Sequence, residues 1–125
     1  MDWKKFLFSF DGRVGRKAYW LFLVAVLVIF MGIQFAALGP MIAAAAADPE
    51  AAANMSFPVW IWIIFIPMMW MSLAVQAKRW HDVDKSAWWI LIGLVPFVGG
   101  LIALVFNGFI AGTPGPNRFG EGPMA

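Results

Sequence analysis

Apolar residues run along this chain in long blocks, and the charged residues fall between the blocks. No Asp, Glu, Lys or Arg occurs in residues 18–47, 51–77 or 86–117, gaps of 30, 27 and 32 residues. A helix that crosses a bilayer needs about 20 apolar residues. The pattern therefore predicts transmembrane helices over residues 19–38, 57–77 and 88–110. Backbone inside lipid has no water to bond, so each crossing must be helical. The expected fold class is an all-α integral membrane protein with three transmembrane helices in a single membrane domain, residues 1–125. Gly39-Pro40 closes the first span, and Pro58 sits in the first turn of the second, where its missing N–H is harmless. Pro67 lies mid-span and is expected to kink that helix. The third segment holds Gly93, Pro96, Gly99 and Gly100. It reads as one bent crossing or as a broken, re-entrant hairpin. The single crossing is the preferred reading, because its 23 residues reach about 35 Å, enough for one tilted passage.

Around these blocks the pattern changes. Trp3, Phe6, Leu7 and Phe10 fall at helical spacing opposite Lys4, Lys5 and Ser9, which predicts a short interfacial helix over residues 3–10. Trp20, Trp60, Trp80, Trp88 and Trp89 lie near the expected span ends, as an aromatic belt would. Residues 43–53, Ala-rich and broken by Asp48-Pro49-Glu50, read as a linker with short helical pieces. The run Ala43–Ala47 offers an A-x-A pattern, but the apolar stretch before it far exceeds the roughly 7–15 residues of a signal core. It is expected to be a retained helix. Residues 111–125 form a Gly/Pro-rich tail.

Composition sharpens this picture. The chain is 62% hydrophobic and 13% charged, against about 45–50% and about 25% in soluble domains. Water-soluble and disordered classes are excluded, and the absence of cysteine removes disulfides and thiolate chemistry. Lys4, Lys5, Arg13, Arg16 and Lys17 precede the first span, and Lys78, Arg79 and Lys85 lie between the second and third. Only Arg118 lies elsewhere. The bias places the N-terminus and the second loop in the cytoplasm of a multi-pass protein. A single third crossing would put the tail outside; a hairpin would keep it inside. The net charge of +2 gathers at the inner interface, which suits anionic lipid rather than nucleic acid.

Three polar clusters carry the candidate chemistry. In the first, Arg13, Arg16 and Lys17 share one face if the helix begins early, and guanidinium forks suit phosphate headgroups. The plainer reading is that these cations only set topology. The second cluster holds His81, Asp82 and Asp84, which fall short of a specific metal signature. Asp82 or Asp84 is expected to cap the third helix, the others to pair with Arg13, Arg16 or Arg79. The third cluster, residues 112–123, is dense in Gly and Pro and reads as a shaped loop. Within the spans, Gln34, Ser72, Gln76 and Asn107 are the main polar side chains, and none ionises. Proton relays and ion-coupled transport are therefore disfavoured. Gln34 and Asn107 are expected in the outer leaflet, within reach of one another, and Gly108-xxx-Gly112 has helix-packing spacing. Hydrolase, zinc-protease, phosphate-loop and dinucleotide motifs are missing.

These clusters resemble the domain of unknown function 805 family of small bacterial inner-membrane proteins. An opening Phe-x-Gly-Arg-x-x-Arg-x-x-Tyr-Trp run matches at Phe10, Gly12, Arg13, Arg16, Tyr19 and Trp20. A central Arg-Arg-Leu-His-Asp with a following Ser-Gly-Trp-Trp matches at Arg79, His81, Asp82, Ser86, Trp88 and Trp89. A closing Gly-Thr-x-Gly-x-Asn-Arg-(Tyr/Phe)-Gly matches at Gly112, Thr113, Gly115, Asn117, Arg118, Phe119 and Gly120. Lys78, Trp80, Ala87 and Gly122 depart from the pattern. The resemblance implies a small multi-span protein of the bacterial inner (plasma) membrane and brings no established activity. If all three motifs form one site, the tail must be inside, which favours the hairpin.

The leading expectation is a non-enzymatic membrane protein whose cytoplasmic-interface site binds anionic lipid headgroups or a protein partner. Arg13, Arg16, Lys17, Arg79, His81, Asp82 and Asp84 are the candidate binding residues, with Gly112, Thr113, Asn117 and Arg118 as the tail motif. No metal or other cofactor is expected. The alternatives are an oligomeric channel or transport-accessory subunit and, less favoured, an enzyme acting on lipid-linked substrates through His81 and Asp82.

Overall fold

The computed structural model of the chain describes residues 2–56 and 58–124. Phe57, the expected first residue of the second span, lies outside the described residues. Helix α1 covers Trp3–Phe8, two residues shorter than the interfacial helix expected over 3–10. Asp2 caps its N-terminus by accepting from the Lys4 and Lys5 amides. Helix α2, Arg16–Ala47, runs 32 residues straight through Pro40, so the expected stop at Gly39-Pro40 is corrected. Proline removes one hydrogen bond, and the alanine run beyond it has the highest helix propensity of any residue type. At about 1.5 Å per residue α2 is about 48 Å long, more than the roughly 30 Å hydrocarbon layer. Helix α3, Pro49–Ala53, is capped by Asp48. Helix α4, Val59–Asp82, starts after Pro58 and continues through Pro67. Helices α2 and α4 are both long and apolar enough to cross a membrane.

The third apolar segment makes no helix of spanning length, and the continuous helix expected over 88–110 is corrected. It divides into a 3₁₀ segment, Ala87–Leu94, a turn at Val95-Pro96-Phe97, helix α5, Val98–Leu104, and a π turn, Val105–Phe109. The residue before a proline is pushed out of the helical region, and Val95 is extended at φ −75° and ψ 118°. Phe97 then takes a left-handed φ of 63°. The chain turns back on itself there. Both ends of the segment meet the same ring: Trp89 stacks on Trp80 at 5.8 Å, and Phe106 lies 5.6 Å from it. Lys85 Nζ sits over Trp89 at 4.8 Å and Phe106 at 5.5 Å. The arms touch at Gly99, where an added Cβ would lie 1.8 Å from the Ile92 carbonyl oxygen. Only glycine permits that approach.

The hairpin returns the tail to the end of α4 where α1 also docks. Phe6, Val14, Ala18, Tyr19 and Val75 form the buried apolar core, and it sits entirely at this end. Farther along, the apolar windows of α2 and α4 are 0% and 11% buried. Such a continuous apolar exterior is a membrane-facing surface. All nine Lys and Arg residues belong to α1, the loop and first turn that open α2, the last turns of α4 and the loop after it, and the tail, which the fold gathers at one end.

Gly99→Val should destabilise the protein by about 1–3 kcal/mol, the cost of overpacking against a backbone that cannot rotate away. Gly100→Ala, with no atom near its Cβ position, should be neutral. Thermal unfolding in mild detergent, followed by circular dichroism, checks both.

Candidate functional site

The last turn of α4 is polar yet buried. Lys78, Arg79, His81 and Asp82 are all at most 7% exposed, and Arg13, in the loop before α2, is 1% exposed. Gly12, at φ 101°, turns this loop toward α4, and the Val14 amide donates to the Lys78 carbonyl at 3.1 Å. Arg13 therefore lies outside the helix, so the helical face expected to combine Arg13 with Arg16 and Lys17 is corrected. Arg13 Nε donates to Asp82 Oδ1 at 3.0 Å, and Arg79 Nη1 donates to Asp82 Oδ2 at 2.8 Å. One carboxylate thus holds two buried guanidiniums.

The remaining guanidinium donors go to backbone carbonyls. Arg13 Nη1 donates to Gly115 at 2.7 Å and Gly120 at 3.3 Å, and Nη2 to Thr113 at 2.6 Å. Arg79 Nε donates to Asn107 at 2.5 Å, and Nη2 to Ile110. Trp20 Nε1 donates to Gly108 at 2.8 Å, and Arg16 Nη1 to Phe109 at 3.1 Å. Four consecutive carbonyls, residues 107–110, are thereby satisfied by Arg16, Trp20 and Arg79. The end of any helix leaves four carbonyls without intrahelical partners, and its dipole favours cations there. Lys78 does the same for α1, donating to the carbonyls of Lys5 at 2.6 Å, Ser9 at 2.7 Å and Phe6. Trp70 Nε1 takes the Phe8 carbonyl at 3.1 Å.

The tail closes over this lock. Thr113 N donates to the Asp82 carbonyl at 2.7 Å, and Met124 N to the Arg13 carbonyl at 2.8 Å. Gly112 packs so tightly that a Cβ would lie 2.0 Å from Asp82 Oδ2. Asn117 Nδ2 donates to the His81 carbonyl at 2.9 Å, and its Oδ1 accepts from Phe119 N at 2.8 Å. Phe119 then stacks on the His81 ring at 4.0 Å and an interplanar angle of 4°. His81 Nδ1 faces the Gly12 carbonyl at 2.9 Å. A ring nitrogen facing a carbonyl must carry the proton. Arg118 pairs with Asp84 at 3.2 Å on the exposed edge.

The structure thus brings Arg13, Arg79, His81, Asp82, Gly112, Thr113 and Asn117 into one cluster. Arg118 and Asp84 make a separate surface pair. Arg13 and Arg79 have no exposed donor face for a headgroup, so that part of the expected binding set is corrected: burial and saturation turn them inward. Arg16 and Lys17 remain exposed. Neither Asp82 nor Asp84 caps the third segment, whose N-cap is Ser86 without a side-chain bond. His81, Asp82 and Asp84 face different partners, and among the described residues no three such groups could hold a metal ion. Asn107 lies beside Arg79 rather than near Gln34, so their expected pairing is corrected, and Gly108 packs on Trp20. Lys78 is the site residue that sequence reasoning treated only as a topological charge. Its signal was a second cation adjacent to Arg79 on an otherwise apolar helix.

Asp82→Ala would strand two buried guanidiniums and should cost about 3–5 kcal/mol. Arg118→Ala removes an exposed pair and should cost under about 1 kcal/mol. Thermal unfolding of both variants in the same detergent measures the contrast.

Comparison with known proteins agrees in extent with this geometry. A family model, Protein of unknown function (DUF805), matches residues 7–121 and so spans all three motifs. Inner membrane protein YhaH of Escherichia coli (strain K12) is 42% identical, over 98% of this chain and 97% of the relative. Inner membrane protein YhaI of the same strain is 31% identical, over 92% of this chain and 86% of the relative. Uncharacterized protein YiiR of that strain is 26% identical, over 97% and 90%. No solved structure matches. With two apolar helices of spanning length and a match over nearly its whole extent, the chain belongs to the DUF805 family, an uncharacterised family that includes inner membrane proteins.

Proposed function

We propose that this chain is a multi-pass, non-enzymatic protein of the inner membrane, with its N-terminus, lock and tail at the cytoplasmic face, and that it holds anionic phospholipid headgroups there. The observation that carries this reading is the division of labour among its cations. Arg13, Lys78 and Arg79 are buried and spent on the fold. Arg16 and Lys17 are exposed at the start of α2, and among the described residues neither pairs with a carboxylate. Arg16 spends one donor on the Phe109 carbonyl, which orients its remaining fork. The gathering of every Lys and Arg at one end supports the cytoplasmic placement of that end. The non-catalytic reading is supported by Asp82, whose two oxygens both face guanidiniums, and by His81, which sits under Phe119.

A second reading, an oligomeric channel or transport-accessory subunit, is favoured by Gln34. Its amide has no hydrogen-bond partner among the described residues, and cavities of about 240 and 330 Å³ flank it. A single stable monomer in mild detergent would contradict that reading.

The lipid reading is tested by reconstituting the full chain in nanodiscs of equal phosphatidylglycerol and phosphatidylethanolamine, then weighing retained lipid by native mass spectrometry. Arg16→Gln with Lys17→Gln should lower the preference for phosphatidylglycerol about thirtyfold, at about 1 kcal/mol per cation near an anionic surface. An unchanged preference would contradict it.

A further inference from the structure

A large cleft lies away from the lock, under α1. It encloses about 600 Å³ between α1, the first half of α2 and Met71 of α4. Lys17 stands at its mouth, Trp3 and Leu7 roof it, and Leu21, Ala25 and Ile29 continue it along α2. Lys17 and Ile29 are separated by twelve residues, an axial rise of about 18 Å. One leaflet of a hydrocarbon layer about 30 Å thick is about 15 Å deep. The cleft therefore begins at a cation and ends near the bilayer midplane.

Its dimensions suit a chain narrower than a peptide helix. Spread over the rise of about 18 Å, 600 Å³ gives a mean cross-section of about 33 Å². A helix of about 10 Å diameter needs about 80 Å². A single extended hydrocarbon chain matches that section more closely than a helix does. The narrow slot follows from the sequence, because Ala25 leaves a notch between the larger Leu21 and Ile29. Helix α1 makes it a cleft rather than an open helix face, and α1 is pinned in place by Lys78 and Trp70 at its carbonyl end. Trp3, 65% exposed, places an amphipathic ring at the headgroup level.

We infer that this cleft seats one acyl chain of an anionic glycerophospholipid from the inner leaflet, with its phosphate at the Lys17 ammonium. The inference rests on the headgroup reading above and adds where the lipid tail goes. Charge complementarity at one end and an apolar slot of leaflet depth behind it define the occupant.

The full chain in nanodiscs of phosphatidylglycerol and phosphatidylethanolamine again supplies the test, with retained lipid weighed after release. Ala25→Phe fills the slot from an exposed position and should lower retained phosphatidylglycerol at least about tenfold, the effect of displacing about two methylenes from an apolar site. Lys17→Gln should keep a lipid bound while lowering the preference for phosphatidylglycerol about fivefold. Ile29→Trp blocks the far end and replaces Ala25→Phe if that variant melts below the wild type. Retention in the blocked variants equal to wild type would overturn the cleft while leaving the headgroup reading standing. Loss of all headgroup preference in the wild type, with retention still abolished by Ala25→Phe, would overturn the phosphate contact and the headgroup reading together.

Discussion

Asp82 accepts from Arg13 on one oxygen and Arg79 on the other, and the Arg13 contact joins parts of the chain 69 residues apart. Arg13 carries the loop before α2, Arg79 the end of α4, and both reach onward into the tail and the π turn. Taking three charges out of water is expensive, and their mutual attraction repays it only when every donor finds a partner. Here Arg13 has three carbonyls and Arg79 two, besides the shared carboxylate. Removing the carboxylate would leave like charges buried side by side. The contact fixes which backbone groups meet more than it adds net stability.

The hairpin explains why the family motifs are rich in donors. A helix that crossed fully would end in the opposite headgroup region, where water can satisfy its last carbonyls. A segment that turns back ends inside the protein, and its carbonyls need donors from side chains. Arg16, Trp20 and Arg79 supply them. Neighbouring residues on α4 divide the task, with Lys78 closing α1 and Arg79 closing the π turn. The polar cluster is thus a set of helix caps gathered around one carboxylate. The cations left at its rim, Arg16 and Lys17, are the ones that stay exposed.

Helical membrane character, a short helix at the N-terminus and the second long helix were all legible in the sequence, because charge gaps and apolar spacing report directly on length and face. Three features were not. Pro40 looked like a stop, but a single lost hydrogen bond does not outweigh the alanine run that follows. Residues 88–110 looked long enough to cross, and hydropathy is blind to direction. The reversal depends on Pro96, the left-handed Phe97 and the one close approach at Gly99. Arg13 and Arg79 looked like headgroup ligands because a guanidinium fork suits phosphate and carbonyl alike. Which one it meets depends on burial, which spacing along the chain does not encode. The convergence of the three motifs was legible only as a conditional: if they form one site, the tail must turn back.

That return is open to direct measurement, because the chain contains no cysteine. Lys4→Cys, Glu50→Cys and Gly122→Cys each place one thiol at an exposed position. A membrane-impermeant maleimide, applied to intact spheroplasts and to inverted vesicles, reports the side on which each thiol lies. Gly122→Cys and Lys4→Cys should label from the same side, with Glu50→Cys labelling from the opposite one. Labelling of Gly122→Cys together with Glu50→Cys would mean that the third segment crosses the membrane, and the lock between Arg13, Asp82 and the tail could not exist.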